Sequence, residues 1–132
     1  MKLKIEFFKD DFINAIGAGV YRISVHNDNK VLKTLYVGES VFILVQCASH
    51  LYNLKKDPLL FGFTPDTIDD SNTKLIFTLI KNENDAYKRK KLEKEIINTE
   101  QLPLSQSGIS DRLKPVEDRI LALTDFLDNK SQ

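Results

Sequence analysis

Cysteine is nearly absent from this chain. Cys47 is the only one in 132 residues, which excludes an intrachain disulfide and a cysteine-based zinc cluster. Its apolar neighbours Val45 and Ala48 predict a buried structural thiol, because nothing marks the electropositive setting that a reactive one needs. Long apolar runs are missing too: no stretch approaches the ~20 residues of a membrane span. The start, Met1-Lys2-Leu3-Lys4-Ile5-Glu6, interleaves charge with apolar residues, unlike the charged end and apolar run of a signal peptide. The expectation is a cytoplasmic protein with no membrane partner. Surplus charge is also lacking. Lys and Arg number 19 and Asp and Glu number 19, for a formal net charge of zero, whereas a nucleic-acid binder usually carries a basic surplus. No internal repeat and no low-complexity tract breaks the chain.

What is present is enough for a core. With 42% hydrophobic and 29% charged residues, the composition suits one folded domain over residues 1–132. Phe7, Phe8, Phe12, Ile13 and Ile16 are spaced for a short amphipathic helix, after a possible strand at Leu3-Lys4-Ile5. Val20-Tyr21-Arg22-Ile23-Ser24-Val25 alternates as a strand. His26-Asn27-Asp28-Asn29 is turn chemistry, and a second strand runs from about 31 to 37, giving an antiparallel hairpin. Ser40 can cap a helix over 41–54. Lys74-Leu75-Ile76-Phe77-Thr78-Leu79-Ile80 reads as a third strand. Residues 83–98 read as a charged helix with Tyr87, Leu92, Ile96 and Ile97 as its apolar stripe. Pro115 suits the first turn of a C-terminal helix over about 115–128, lined by Val116, Ile120, Leu123 and Leu127. The expected architecture is α+β: a small, three-stranded, mainly antiparallel sheet flanked by helices, plus the C-terminal helix. Residues 41–45, Val-Phe-Ile-Leu-Val, are apolar on every side of their helix, so a cover is expected on the side away from the sheet. The C-terminal helix or a homodimer partner would supply it.

Gly19-Val20-Tyr21 opens the first hairpin strand and Tyr36-Val37-Gly38 closes the second. Either tripeptide alone is ordinary strand vocabulary. As an ordered pair within one hairpin they resemble the signature of the GIY-YIG nuclease family, with Val in place of Ile in each. The resemblance extends over a core of about 17–105. His50 falls where a family histidine often stands, and Glu93 stands at the position of the metal-binding glutamate. Pro103 and Ser105 lie near the offsets of a family proline and asparagine. The family arginine, eight residues beyond the second glycine, is replaced by Gln46. Read without the resemblance, His50 is a packed helix residue, and Glu93 is one member of a lysine-rich solvated face.

The resemblance implies a metal-dependent endonuclease that hydrolyses phosphodiester bonds of DNA, with single-stranded and branched DNA among the substrates it admits. Glu93 would hold one Mg²⁺ or Mn²⁺. Tyr21 would activate water, and Tyr36 and His50 would position groups. Lys88, Arg89 and Ser105 would bind substrate. Tyr21, Tyr36, His50 and Glu93 are expected to converge on one concave face with Gln46 turned into it. Gln46 keeps two amide donors but lacks the charge of the guanidinium fork that grips a phosphate. The chain is thus expected to be an impaired nuclease, by nature or by an introduced change. The alternative is an inactive nucleic-acid-binding or protein-interaction module on the same fold.

Overall fold

The computed structural model describes residues 2–27, 30–61 and 63–100. The architecture is α+β. β1 (Lys4–Phe7), β2 (Gly19–Asn27), β3 (Lys30–Ser40) and β4 (Thr73–Asn82) form one sheet with α1 (Ile43–Lys56), a short α2 (Pro65–Ile68) and α3 (Ala86–Thr99). The strand order is β1-β4-β2-β3. β2 pairs antiparallel with both β3 and β4, and β1 pairs parallel with β4. The sheet is therefore four-stranded and mixed, not the three-stranded antiparallel sheet that the pattern suggested.

The first strand accounts for that difference and for the loss of the expected helix at 7–16. Phe7 pairs with Phe77, and the Phe8 amide donates to the Phe77 carbonyl at 2.9 Å. Phe8 then turns through a left-handed φ of 51°, which drops its ring into the core beside Phe7 and Phe77. Phe7 is thus committed to the strand and Phe8 to the turn that follows it. Only a 3-10 turn, Asn14–Ile16, remains of the helix.

Strand alternation divides the molecule. Tyr21 and Ile23 leave β2 on one face and Val20 and Arg22 on the other. The register places Gly38 opposite Tyr21 and Tyr36 opposite Ile23, so these share the first face. On β4, Leu79, Phe77 and Leu75 lie opposite Tyr21, Ile23 and Val25. α1 packs on this face and completes the core with Ile43, Cys47 and Leu54. Burying one such aliphatic side chain contributes roughly 1.5–3 kcal/mol. α3 packs on the other face, over β3 and β2, where Val20 and Val37 are buried.

The helix boundaries have local causes. Ser40 Oγ accepts the Phe42 amide at 3.0 Å, so Ser40 steadies the turn while the helix itself begins at Ile43. Asp85 caps α3 by accepting the Lys88 amide at 3.0 Å, which starts the helix at Ala86 rather than 83. Among the described residues, no helix is long and apolar enough to cross a membrane. The expected C-terminal helix and Ser105 lie outside the described residues.

Candidate functional site

The first-face cluster is built from three separated segments. Tyr21 projects from β2 over Gly38 of the neighbouring strand. A Cβ at Gly38 would lie against the Tyr21 hydroxyl, 2.6 Å from its Cζ and 2.8 Å from Tyr36 Cε1. The glycine of the second tripeptide is thus the space that the tyrosine of the first one fills. Gly19 answers to a different constraint: a Cβ there would strike the Lys81 carbonyl and come within 3.0 Å of Asn82 Cα. Backbone cannot yield as a side-chain tip can, so this position fixes how closely β4 approaches β2.

His50 reaches the same spot from α1. Its Nε2 and the Tyr21 hydroxyl share a hydrogen bond of 2.6 Å. The Tyr36 ring packs edge-on to the imidazole with centroids 5.0 Å apart, and Tyr21 and Tyr36 stand 6.1 Å apart. The inward face of α1 is Ile43, Gln46, Cys47, His50 and Leu54, a 3.6-residue stripe whose two polar members are one turn apart. Four of the predicted site residues, Tyr21, Tyr36, Gln46 and His50, are therefore together. All four are 2% exposed or less.

Burial sets their chemistry. Desolvation pushes the His50 pKa from 6.5 down to about 3, so the ring is neutral at physiological pH. The neutral imidazole orients the Tyr21 hydroxyl through their shared hydrogen bond. Burial also raises the Cys47 thiol well above its usual range, and its place in the core agrees with the structural role expected of it.

The remaining predicted residues are arranged otherwise. Glu93 stands on α3 and is half-buried. β3 is an edge strand, with α1 against one of its faces and α3 against the other. Arg89, expected on a substrate surface, is instead 3% exposed. Its Nε donates to Glu39 Oε2 at 2.8 Å, and Nη1 donates to the carbonyls of Glu83 and Asn84. It is a post that fastens α3 to β3, and its correction has a simple reason: Arg89 occupies the inward face of the helix. Lys88 is exposed. The sequence held no signal for the Glu39–Arg89 pair, since neither position belongs to a spacing pattern.

No group of three or more His, Cys, Asp or Glu side chains among the described residues is placed to hold a metal. A divalent ion would have to rest on Glu93 with water and substrate oxygens, an arrangement that Mg²⁺ accepts. No protein-family model matches the chain, and neither the curated proteins nor the solved structures give a match.

Proposed function

We propose that this chain carries a GIY-YIG-type endonuclease site for DNA, drawn from β2, β3, α1 and α3 and attenuated by Gln46. The reading rests chiefly on the Tyr21–His50 hydrogen bond over Gly38. It joins residues that the two tripeptides and the helix register nominated separately. Tyr21 is fully buried, so it would reach the attacking water only when bound substrate opens the cluster, with Tyr36 and His50 fixing its ring. Glu93 is the carboxylate suited to a Mg²⁺ or Mn²⁺ ion, which supplies charge neutralisation at the phosphate when bound. Lys88, on α3 with Glu93, and Ser105 would bind substrate.

Gln46 decides the level of activity. A buried amide is neutral and stable in a closed cluster. An arginine there is a buried cation that wants an anionic partner. Gln46→Arg is therefore expected to lower thermal stability in the free protein and to recover part of it when an oligonucleotide binds. The same variant should raise Mg²⁺- or Mn²⁺-dependent DNA cleavage by about 10²–10³-fold, as preorganised donors to a developing charge do. Glu93→Ala or Tyr21→Phe in that background should abolish the gain. The measurement is nicking of plasmid and of single-stranded and branched DNA. Inactivity of Gln46→Arg on every substrate, in a protein that remains folded, would defeat the enzyme reading.

One observation favours a second reading, a non-catalytic module on the same scaffold. Tyr21, Tyr36, Gln46 and His50 form a closed, uncharged cluster, which suits a structural role without chemistry. The same cleavage assay separates the two.

A further inference from the structure

α3 presents two unlike sides. Its inward side carries Arg89, with Leu92, Glu93, Ile96 and Ile97 half-buried around it. At ~100° per residue, Lys90, Lys94, Tyr87, Lys91 and Asn98 fall together on the outward arc, and all five are exposed. Tyr87 is 76% exposed, although its spacing placed it in the apolar stripe. No carboxylate of the helix lies within that arc; Glu95 falls beyond its edge, beside Lys88. The chain as a whole is neutral, so three lysines around one open aromatic ring are a local segregation of charge.

We infer that the outward arc of α3 binds single-stranded nucleic acid, with Lys90, Lys91 and Lys94 on the phosphates and Tyr87 stacked on a base. A solvated lysine face needs no exposed aromatic at its centre. An apolar partner would be repelled by the desolvation cost of the three ammonium groups. A polyanion with flat apolar bases answers both features at once, which is how single strands are held without sequence readout. Lys90 follows Glu93 around the helix, past Ile97. A strand lying on the arc would therefore pass toward the candidate metal carboxylate. In that respect the inference deepens the nuclease reading and rests on it for its biological sense.

The test is fluorescence anisotropy of a labelled 12-nucleotide oligothymidylate with EDTA present, so that cleavage plays no part. Lys90→Glu/Lys91→Glu/Lys94→Glu is expected to weaken binding at least tenfold at low salt. It should also flatten the slope of log K against log salt by about 2, since each phosphate contact on a single strand contributes ~0.7. Tyr87→Ala should weaken binding roughly fivefold or more with the slope unchanged, and Tyr87→Phe should retain it. Lys55→Glu/Lys56→Glu alters charge on α1 and is the control. An equal loss in the control, or full affinity in the α3 triple variant, overturns the inference. Cleavage by Gln46→Arg with binding insensitive to α3 would remove this surface and leave the site reading standing. Salt-dependent binding through α3 with no cleavage would do the reverse.

Discussion

At the scale of single residues, glycine has two distinct meanings in this chain. Gly38 is required because Tyr21 occupies the volume of its missing side chain. Gly38→Ala must push the Tyr21 hydroxyl off His50 or bend β3, and overpacking of this kind costs about 1–3 kcal/mol. Gly17 is different: a Cβ there meets nothing closer than 3.6 Å, and its φ of −84° is open to any residue. Gly17→Ala should be neutral, or stabilising by about 0.4–1 kcal/mol through the unfolded chain. Urea unfolding of the two variants checks the contrast. Equal costs would mean that the Tyr21–Gly38 fit is not what the second tripeptide encodes. Tyr21 itself shows why the sequence named a site without describing it. Spacing along a hairpin specifies which residues are neighbours. It says nothing of whether they face water, and here they do not.

At the scale of elements, two ion pairs join α3 to the sheet beside the buried Val20 and Val37. Arg89 meets Glu39 at 2.8 Å with side-chain exposures of 4% and 14%. Arg22 meets Glu100 at 2.5 Å in a more exposed setting. Removing one partner of the buried pair strands the other, so Arg89→Met or Glu39→Gln is expected to cost about 3–5 kcal/mol. Arg22→Gln should cost less than about 1 kcal/mol. Amide hydrogen exchange along 86–99 reads the effect locally: loosening of α3 with the hairpin unchanged is the expected pattern, and uniform loss of protection would contradict it. This join also marks how far the sequence could be read. β2, β3, β4, α1 and α3 all stand near their expected positions, because alternation and 3.6-residue spacing are local signals. The parallel pairing of β1 with β4 and the docking of α3 depend on contacts about 70 and 50 residues apart in the chain, Phe7 with Phe77 and Glu39 with Arg89. The run at 41–45 is apolar on every side of an expected helix, whereas α1 begins at Ile43. In the fold its inward stripe holds Gln46 and His50, while Val45 is 39% exposed. The pattern of residue types was right and its orientation was not available to it.

At the scale of the whole molecule, one buried side chain should set the response to mild acid. His50 is fully buried, and burial holds its pKa at about 3 against 6.5 in an exposed setting. Below pH 6.5 the unfolded chain therefore binds a proton at this position and the native chain does not. The unfolded state is favoured progressively as pH falls, by about 1.4 kcal/mol per pH unit, until the native imidazole itself titrates near pH 3. From pH 6.5 to 5 the loss is about 2 kcal/mol, a large part of the stability of a domain of this size. Asp70 works in a lower window. The Asn72 amide, then Thr73 and Asn27, hold its carboxyl below the usual range. Its contribution is thus present above the ordinary aspartate pKa and is lost only in stronger acid. Confining the measurement to pH 7–5 keeps the two apart. Urea unfolding at pH 7, 6 and 5 should show the midpoint falling in the native protein. His50→Gln keeps the volume and a polar atom for the Tyr21 hydroxyl while removing the titration. It should be less stable at pH 7 yet show little change from pH 7 to 5. The curves of the two proteins should then converge as the pH is lowered. Parallel curves would mean that His50 titrates normally in the folded state, and hence that the Tyr21–His50 cluster is open to water rather than closed.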